Sequence, residues 1–456
     1  MPSEKKVISS FTVKVGLALF AGCILAPISL MTMFRLAVPL QTLRLLFSVG
    51  SVSSMTLGEQ TGSADGAALF CDMSSPRSDV CELKGDVRVF LPNTTIVFLH
   101  PTIRRRSWRM KPHARKNDRH ALSSVTEVSL SVVASSSLRH APSGCTAESA
   151  APAVIFSAGG YAGNMFHDFT DVLVPLFITA SRFHGEVHFL VSDAPSWWLD
   201  KYQPLLRMLS RHAIIDMNRR SSEVLCYRHV IVGLRFHKEM SIDAAKTVGG
   251  RYSMADFARL ARTSYGLERD RAIQLPRNDN NNGGSGVESH HRPRLLIISR
   301  KATRAFTNVD AIARTASILG YNVVVGEADQ QSDLAALARL VNSCDVLVCL
   351  HGAVLTNLVF LPAGAVVVQV VPLGGLEAAA VEAFGAPARD MGLGYVQYNI
   401  AVEESSQAAR VLAEPPAVRK EGWLALWSAY LVGQNVTLDV ARFRGALSRA
   451  LELLRH

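Results

Sequence analysis

The chain has 456 residues, 48% of them apolar and 19% charged, which excludes a mainly disordered polymer and leaves room for two or three globular domains. Its 48 Lys and Arg against 38 Asp and Glu give a net charge of +10, which favours an acidic ligand or surface.

At the N-terminus, Val15 to Phe34 form an uninterrupted uncharged run of 20 residues, close to the ~20 needed to span a bilayer. Lys5, Lys6 and Lys14 precede it and favour a cytosolic N-terminus, a bias weakened by Arg35 and Arg44 beyond it. A cleaved signal peptide has an apolar core of only ~7–15 residues, so an uncleaved type II anchor is expected. The rest of the chain is then lumenal. The small, polar, aperiodic stretch "SVSSMTLGEQTGSADGAA" (Ser51–Ala68) reads as a flexible stem. Two glycosylation sequons, at Asn93 and Asn435, fit such a location.

Cysteine usage follows the same compartment. Cys344 and Cys349 bracket a strand of ~16 Å, too long for a mutual disulfide, and read as buried thiols. Cys71 and Cys81 lie close together around the turn-like "SSPRSD" and are expected to be bonded; Cys145 with Cys226 is the second pairing.

Beyond the stem, strand-like and helix-like stretches alternate. "AVIFSAGG" (Ala153–Gly160), a helix over Asn164–Phe183, "EVHFLVSD" (Glu186–Asp193), the amphipathic "SWWLDKYQPLLRMLS" and "HVIVGL" (His229–Leu234) form a first set. The Asn- and Gly-rich "RNDNNNGGSGVESHHRPR" (Arg277–Arg294) marks a linker. Alternation resumes with "RLLIISR", "YNVVVGE", "DVLVCL" and "AVVVQVVP". Continuous apolar strands separated by helices imply parallel sheets covered on both faces. The expected organisation is a cytosolic tail (1–14), an anchor (15–34), a stem (35–70), an α/β domain (71–276), a linker (277–293) and a second α/β domain (294–456). Two doubly wound sheets bind ligands beyond the carboxyl ends of their strands, so a shared cleft is the expected site.

In "VCLHGAVLTNLVFLPAG", His351 follows a buried strand and Gly352 permits close approach of backbone or ligand. Free N–H groups at Gly352–Ala353, opening the next helix, favour an anion. The side chains of Thr356 and Asn357 are expected to complete the cradle. Arg300 and Arg304, in "ISRKATR", match phosphate oxygens, and Glu377 reads either as an acceptor for a ribose or sugar hydroxyl or equally as a helix N-terminal carboxylate. No Asp-x-Asp triplet, zinc spacing, nucleophile elbow or P-loop occurs, so no metal site is expected. In the first half, "GGYAGNMFHDFTD" places Gly163, Asn164, His167, Asp168 and Asp171 between a strand end and a helix, with the polar groups at three- and four-residue spacings. Four polar groups among Phe166, Phe169, Val172 and Leu173 suggest a buried functional cluster at the cleft. The run from Arg104 to Arg119 holds eight basic residues and reads as a solvated surface, with contact to an acidic glycan as the alternative; in a lumenal chain it does not imply nucleic acid.

These segments, with "CDMSSPRSDVCELKGDVRV", "RKNDRHALSSVTEV", "QVVPLG", "FGAPARDMGLGYVQYNIAVEESS" and "GQNVTLDVARF", resemble glycosyltransferase family 61, in its plant xylan arabinosyl- and xylosyltransferase branch. The resemblance covers roughly Cys71 to the C-terminus. It implies a Golgi type II membrane enzyme of GT-B architecture, a UDP-pentose donor held by the second domain, a xylan-type acceptor on the first, and inversion at the anomeric centre. Other branches of the family act on N-glycans. Inversion needs a general base in the first domain. Asp168 is the expected base, as a carboxylate takes the proton directly, with His167 second and Asp171 third. No cofactor is required on this reading, and a homo- or hetero-oligomer is compatible with it. The competing reading is a catalytically silent lumenal glycan-binding or scaffold subunit of a polysaccharide synthase complex.

Overall fold

A computed structural model describes residues 66–102, 105–134, 144–219, 222–276, 292–300, 304–327, 333–409 and 434–455. The expected tail and anchor, most of the stem and nearly all of the linker lie outside the described residues. Among those described, no helix is long and apolar enough to cross a membrane.

The first half builds one sheet from β1 (Ala68–Asp72), β2 (Val80–Phe90), β3 (Thr95–His100), β4 (Arg106–Met110), β5 (Val128–Ala134), β6 (Ala147–Ser149), β7 (Ala153–Ser157), β8 (His188–Ser192), β9 (Ile215–Asp216) and β10 (Val224–Val232). Its order is β4-β5-β3-β2-β10-β7-β8-β9, with β1 also on β2 and β6 on β10. The wholly parallel sheet expected here is corrected. Strands β10, β7, β8 and β9 are parallel, as are β3 with β5 and β6 with β10, but β1–β2, β2–β3, β4–β5 and β2–β10 are antiparallel. Only residues 91–94 separate β2 from β3, far short of the dozen or more that a parallel crossover needs. The parallel part is built where helices intervene, over Met165–Ala180 and Ser196–Leu209.

The second half is wholly parallel. Strands β11 (Arg294–Ser299), β12 (Asn322–Glu327), β13 (Val346–Leu350), β14 (Val366–Val371) and β15 (Gly394–Asn399) run in the order β12-β11-β13-β14-β15. Every residue of β13 and β14 is buried, as their uninterrupted apolar runs require. The chain leaves β11 for β12 on one side and returns to β13 on the other, so a topological switch point lies beyond the ends of β11 and β13. The C-terminal helix Val440–Leu453 closes this half, with the Tyr321 hydroxyl donating to the Leu447 carbonyl at 2.8 Å.

The two sheets share one apolar core. Phe169, Phe177, Trp198 and Phe257 from the first half pack in one cluster with Leu355, Leu358, Phe360 and Phe384 from the second. The rings of Phe169 and Phe360 meet edge to face at 6.3 Å. The helix Met254–Ser264 adds to this seam through Arg262, whose Nη1 donates to the Leu361 carbonyl at 3.2 Å.

Cys71 is bonded to Cys81, its partner in the β1–β2 register, and Cys145 to Cys226; Cys344 and Cys349 are free and buried. Strand β1 begins at Ala68, inside the segment read as stem. Asn93 is exposed at the end of a 3-10 turn, whereas Asn435 is half-buried and its Oδ1 accepts from the Ala305 N–H at 3.0 Å.

Candidate active site

Strand β7 ends at Ser157, and a glycine-rich loop leads to Asn164, whose Oδ1 accepts from the Phe166 N–H at 3.2 Å and caps the next helix. That helix is irregular: Met165–His167 is α, Asp168–Leu173 is a π turn, and Val174–Ala180 is α again. Pro175 lacks the N–H that would close a bond to residue 171 and crowds that carbonyl, so the preceding turn widens.

The π turn places His167 one turn from Asp171, and His167 Nδ1 is 2.9 Å from Asp171 Oδ2. Asp171 is 1% exposed and also accepts from Arg115 Nη1 at 3.0 and 3.2 Å and from Arg77 Nη2 at 3.3 Å. Burial alone would raise its pKa, but the hydrogen bond from His167 and the charge of Arg115 hold the carboxyl below its usual range. A charged Asp171 makes Nδ1 of His167 the protonated nitrogen. Its Nε2 has no partner among the described residues and is the acceptor in the neutral tautomer. The Tyr161 ring lies 4.5 Å from the His167 ring, centroid to centroid.

Asp168 has a different environment. It is 2% exposed, and its Oδ1 accepts from the Gly163 N–H at 3.0 Å and from Trp198 Nε1 at 2.9 Å. Its Oδ2 accepts from the Tyr202 hydroxyl at 2.7 Å. Burial raises its pKa, against those three hydrogen bonds. A carboxylate so enclosed anchors the loop to the helix Ser196–Leu209 and presents nothing to a substrate. Asp168, the expected base, is thus held by three donors, whereas the adjacent His167 has Asp171 at its Nδ1 and no partner at its Nε2 among the described residues.

Two further contributors come from stretches that read as turn and surface. Arg77 sits in the loop between the bonded Cys71 and Cys81, and its Nη1 is 2.6 Å from Glu239 Oε1. Lys116 steadies that loop through Asp79 Oδ1 at 2.6 Å and the Met73 carbonyl at 2.9 Å. Arg115 belongs to the basic run; besides Asp171 it holds Asp118 Oδ2 at 3.0 Å, which also accepts from the Tyr161 hydroxyl. At least this part of the run is not a solvated face. The turn chemistry of "SSPRSD" between two cysteines is the one sequence signal that pointed near Arg77.

The second half contributes at its switch point. Arg300 follows β11 and His351 follows β13. Arg304 has φ 55° and donates from Nη1 to the His351 carbonyl at 3.2 Å, while its Nε is buried without a partner. Neither arginine meets a carboxylate among the described residues. Burial, with the charge of Arg300, lowers Arg304 to about 10. A Cβ at Gly352 would fall 2.6 Å from Arg304 Nη1, which explains the glycine. His351 is 9% exposed, and its Nδ1 accepts from Gln369 Nε2 at 2.7 Å. Gln369 is oriented by the Tyr395 hydroxyl, which donates to Oε1 at 2.8 Å. Burial and the neighbouring Arg304 push His351 down to about 4, so the ring is neutral at pH 7 and carries its proton on Nε2. The signal for Gln369 was present as the lone polar residue in "VVVQVV".

The helix opened by Gly352 and Ala353 is a 3-10 helix, Ala353–Phe360. Thr356 and Asn357 are 0% and 1% exposed, and Thr356 Oγ1 and Asn357 Oδ1 are buried without a hydrogen-bond partner among the described residues. Asn357 Nδ2 donates to the Val354 carbonyl at 2.8 Å. Glu377 starts a short helix beyond β14, exposed at the same sheet edge as His351.

The two sets of groups meet across aromatic rings. His167 contacts Phe166 at 5.4 Å, Phe166 contacts Phe384 at 5.4 Å, and Phe384 contacts His351 at 5.7 Å between centroids. A histidine bonded to a buried carboxylate and two arginines that meet no carboxylate among the described residues thus lie on two α/β sheets with a common core, and such cations suit an anionic ligand.

Comparison with known proteins identifies the family. A family model described as Glycosyltransferase 61 matches residues 165–368. The alpha-1,3-arabinosyltransferase XAT3 of Oryza sativa subsp. japonica is 44% identical over 397 residues, which are 85% of this chain and 66% of the relative. Beta-1,2-xylosyltransferase XYXT1 of the same rice is 38% identical over 410 residues, 85% of this chain and 84% of the relative. Xylan glycosyltransferase MUCI21 of Arabidopsis thaliana is 32% identical over 394 residues, 83% and 78% of the two chains. This chain thus spans slightly less than two thirds of the length of the rice arabinosyltransferase. The chain belongs to the glycosyltransferase 61 family.

Proposed function

We propose that the protein is an inverting glycosyltransferase of GT-B architecture that moves a pentose, arabinofuranose or xylose, from a UDP-sugar to a xylan-type polysaccharide. One observation carries the reading: His167 is tied through Nδ1 to a buried Asp171 that two arginines also hold, while its Nε2 stays free. In the reaction an acceptor hydroxyl attacks the anomeric carbon on the face opposite the leaving diphosphate. Nε2 of His167 takes the hydroxyl proton as the new C–O bond forms, and Asp171 stabilises the resulting imidazolium. The bond from the anomeric carbon to the diphosphate oxygen breaks. Charge on the departing UDP is met by Arg304, Arg300 and the Nε2–H of His351.

With cations in that role and no Asp-x-Asp triplet in the sequence, the proposed reaction requires no metal. The pentose and the xylan acceptor rest on the names of the rice and Arabidopsis relatives. The proposed location, a Golgi membrane with the catalytic region lumenal, rests on the N-terminal apolar run and the bonded cysteines.

Purified protein incubated with a panel of UDP-sugars and xylo-oligosaccharides, in EDTA, is expected to yield one pentosylated product with inverted anomeric configuration by NMR. Retained configuration or dependence on added metal would overturn the mechanism. Absence of transfer from every donor would favour the non-catalytic glycan-binding subunit.

A further inference from the structure

Beside His167, on the side of the first sheet, the loop Tyr161–Asn164 and the start of the helix Ser196–Leu209 enclose a groove of ≈ 420 Å³, lined by Tyr161, Ala162, Gly163, Asn164, Trp197 and Lys201. The volume lies within the ~300–1,000 Å³ usual for small-ligand sites. Two adjacent tryptophans start the helix with opposite fates. Trp198 is fully buried and bonded to Asp168, which fixes the helix start against the loop. Trp197 is 48% exposed, with its indole in the groove wall.

The loop is shaped around that indole. Gly163 has φ 93°, and a Cβ there would lie 3.0 Å from Trp197 Cη2, so a side chain at 163 would press on the ring. Lys201, four residues after Trp197, falls on the same helix face; its Nζ lies 5.4 Å from the Tyr202 ring centroid and no carboxylate is paired with it among the described residues. Asn164 uses Oδ1 as the helix cap, which leaves its Nδ2 as an uncommitted donor. Tyr161 joins the groove to the base, since its ring lies 4.5 Å from that of His167.

We propose that this groove is an acceptor subsite in which a sugar ring of an oligosaccharide stacks on Trp197, with Asn164 Nδ2 and Lys201 Nζ bonding its hydroxyls. The proposal rests on the transferase reading above. An exposed indole presents a rigid apolar plate to the C–H face of a pyranose at low entropic cost. The flanking groups suit hydroxyls, and the lining contains no arginine, unlike the cluster at Arg300 and Arg304. The groove thus offers an aromatic plate and hydroxyl partners, while the switch point offers guanidinium groups that suit a diphosphate.

The test is a titration of the full chain, saturated with UDP, with xylohexaose, cello-oligosaccharides, manno-oligosaccharides and an N-glycan. Trp197→Ala is expected to weaken oligosaccharide binding by about tenfold or more. Trp197→Phe should retain part of the affinity, and Lys201→Gln should produce a smaller loss. UDP affinity should stay unchanged in all three. Trp197-dependent binding of another glycan but not of xylohexaose would uphold the subsite and overturn the xylan reading. Equal oligosaccharide affinity in wild type and Trp197→Ala, or no binding of any glycan by wild type, would overturn the subsite. Transfer to xylo-oligosaccharides that is indifferent to Trp197 would sink it while leaving the transferase reading intact.

Discussion

Arg304 donates to the main-chain carbonyl of His351 at 3.2 Å, and the space that a side chain at Gly352 would occupy is filled by the same guanidinium nitrogen. The strand end is shaped around the arginine. Gly352→Ala must displace the guanidinium and also strain a backbone at φ 144°, so UDP affinity should fall by about tenfold or more if one charged hydrogen bond is lost. Calorimetric titration with UDP checks this, and an unchanged affinity would remove Arg304 from the diphosphate site.

A half-buried guanidinium without a carboxylate, its Nε buried and unpartnered, is held at a cost to the fold. Arg304→Met is therefore expected to raise the melting temperature of the ligand-free protein while weakening UDP binding about ten- to hundredfold. Thermal denaturation with and without UDP measures both. A variant that is less stable and still binds UDP normally would contradict the assignment.

His167→Gln should lower kcat by ~10²–10⁴ with UDP affinity nearly intact, the usual worth of a positioned base. Near-normal turnover in a folded His167→Gln protein would refute the role.

Asp168→Ala should act on the fold instead. It leaves the Gly163 N–H, the Trp198 indole and the Tyr202 hydroxyl without their acceptor, at about 1–3 kcal/mol for each buried donor left unsatisfied. Urea unfolding reads the loss. A stable Asp168→Ala protein with abolished turnover would return the base to Asp168.

His351, held at about 4 by burial and by Arg304, makes the protein acid-sensitive. Above its unfolded pKa of ~6.5 the ring is neutral in both states and stability is unaffected. As pH falls from there towards 4, only the unfolded chain takes up the proton, so stability declines, by about 3 kcal/mol in all. His351→Gln should flatten this limb in urea unfolding between pH 7 and 4. Parallel curves for the two proteins would exclude His351 as its source.

The disulfides close loops of unequal length, with sequence separations of 10 for Cys71–Cys81 and 81 for Cys145–Cys226. Constraint of the unfolded chain makes the longer one worth about 2 kcal/mol more. Double Ser variants at each pair, compared by denaturant midpoint, test the difference. A greater loss at Cys71 and Cys81 would point to the Arg77 loop as the dominant contribution.

Much of the second half was legible because its signals are local. Apolar runs such as "DVLVCL" and "AVVVQVVP" can only be buried strands, and helical stretches between them demand parallel crossovers. The strand end at His351 and Gly352, the arginines after β11 and the paired cysteines could be read for the same reason. The contrast between the surroundings of adjacent His167 and Asp168 could not. It depends on Trp198 and Tyr202, which reach Asp168 from 30 and 34 positions away, and on Arg115 and Arg77, which reach Asp171 from 56 and 94. The mixed order of the first sheet is likewise a matter of partners, since β2 is covered on one edge by its hairpin neighbour and on the other by β10. Side-chain pattern and turn chemistry determine which segments are strands, helices and bends. Whether a carboxylate is enclosed by donors or left to steer a histidine is decided only when distant segments close around it, because burial and hydrogen bonding set its charge and its access to substrate.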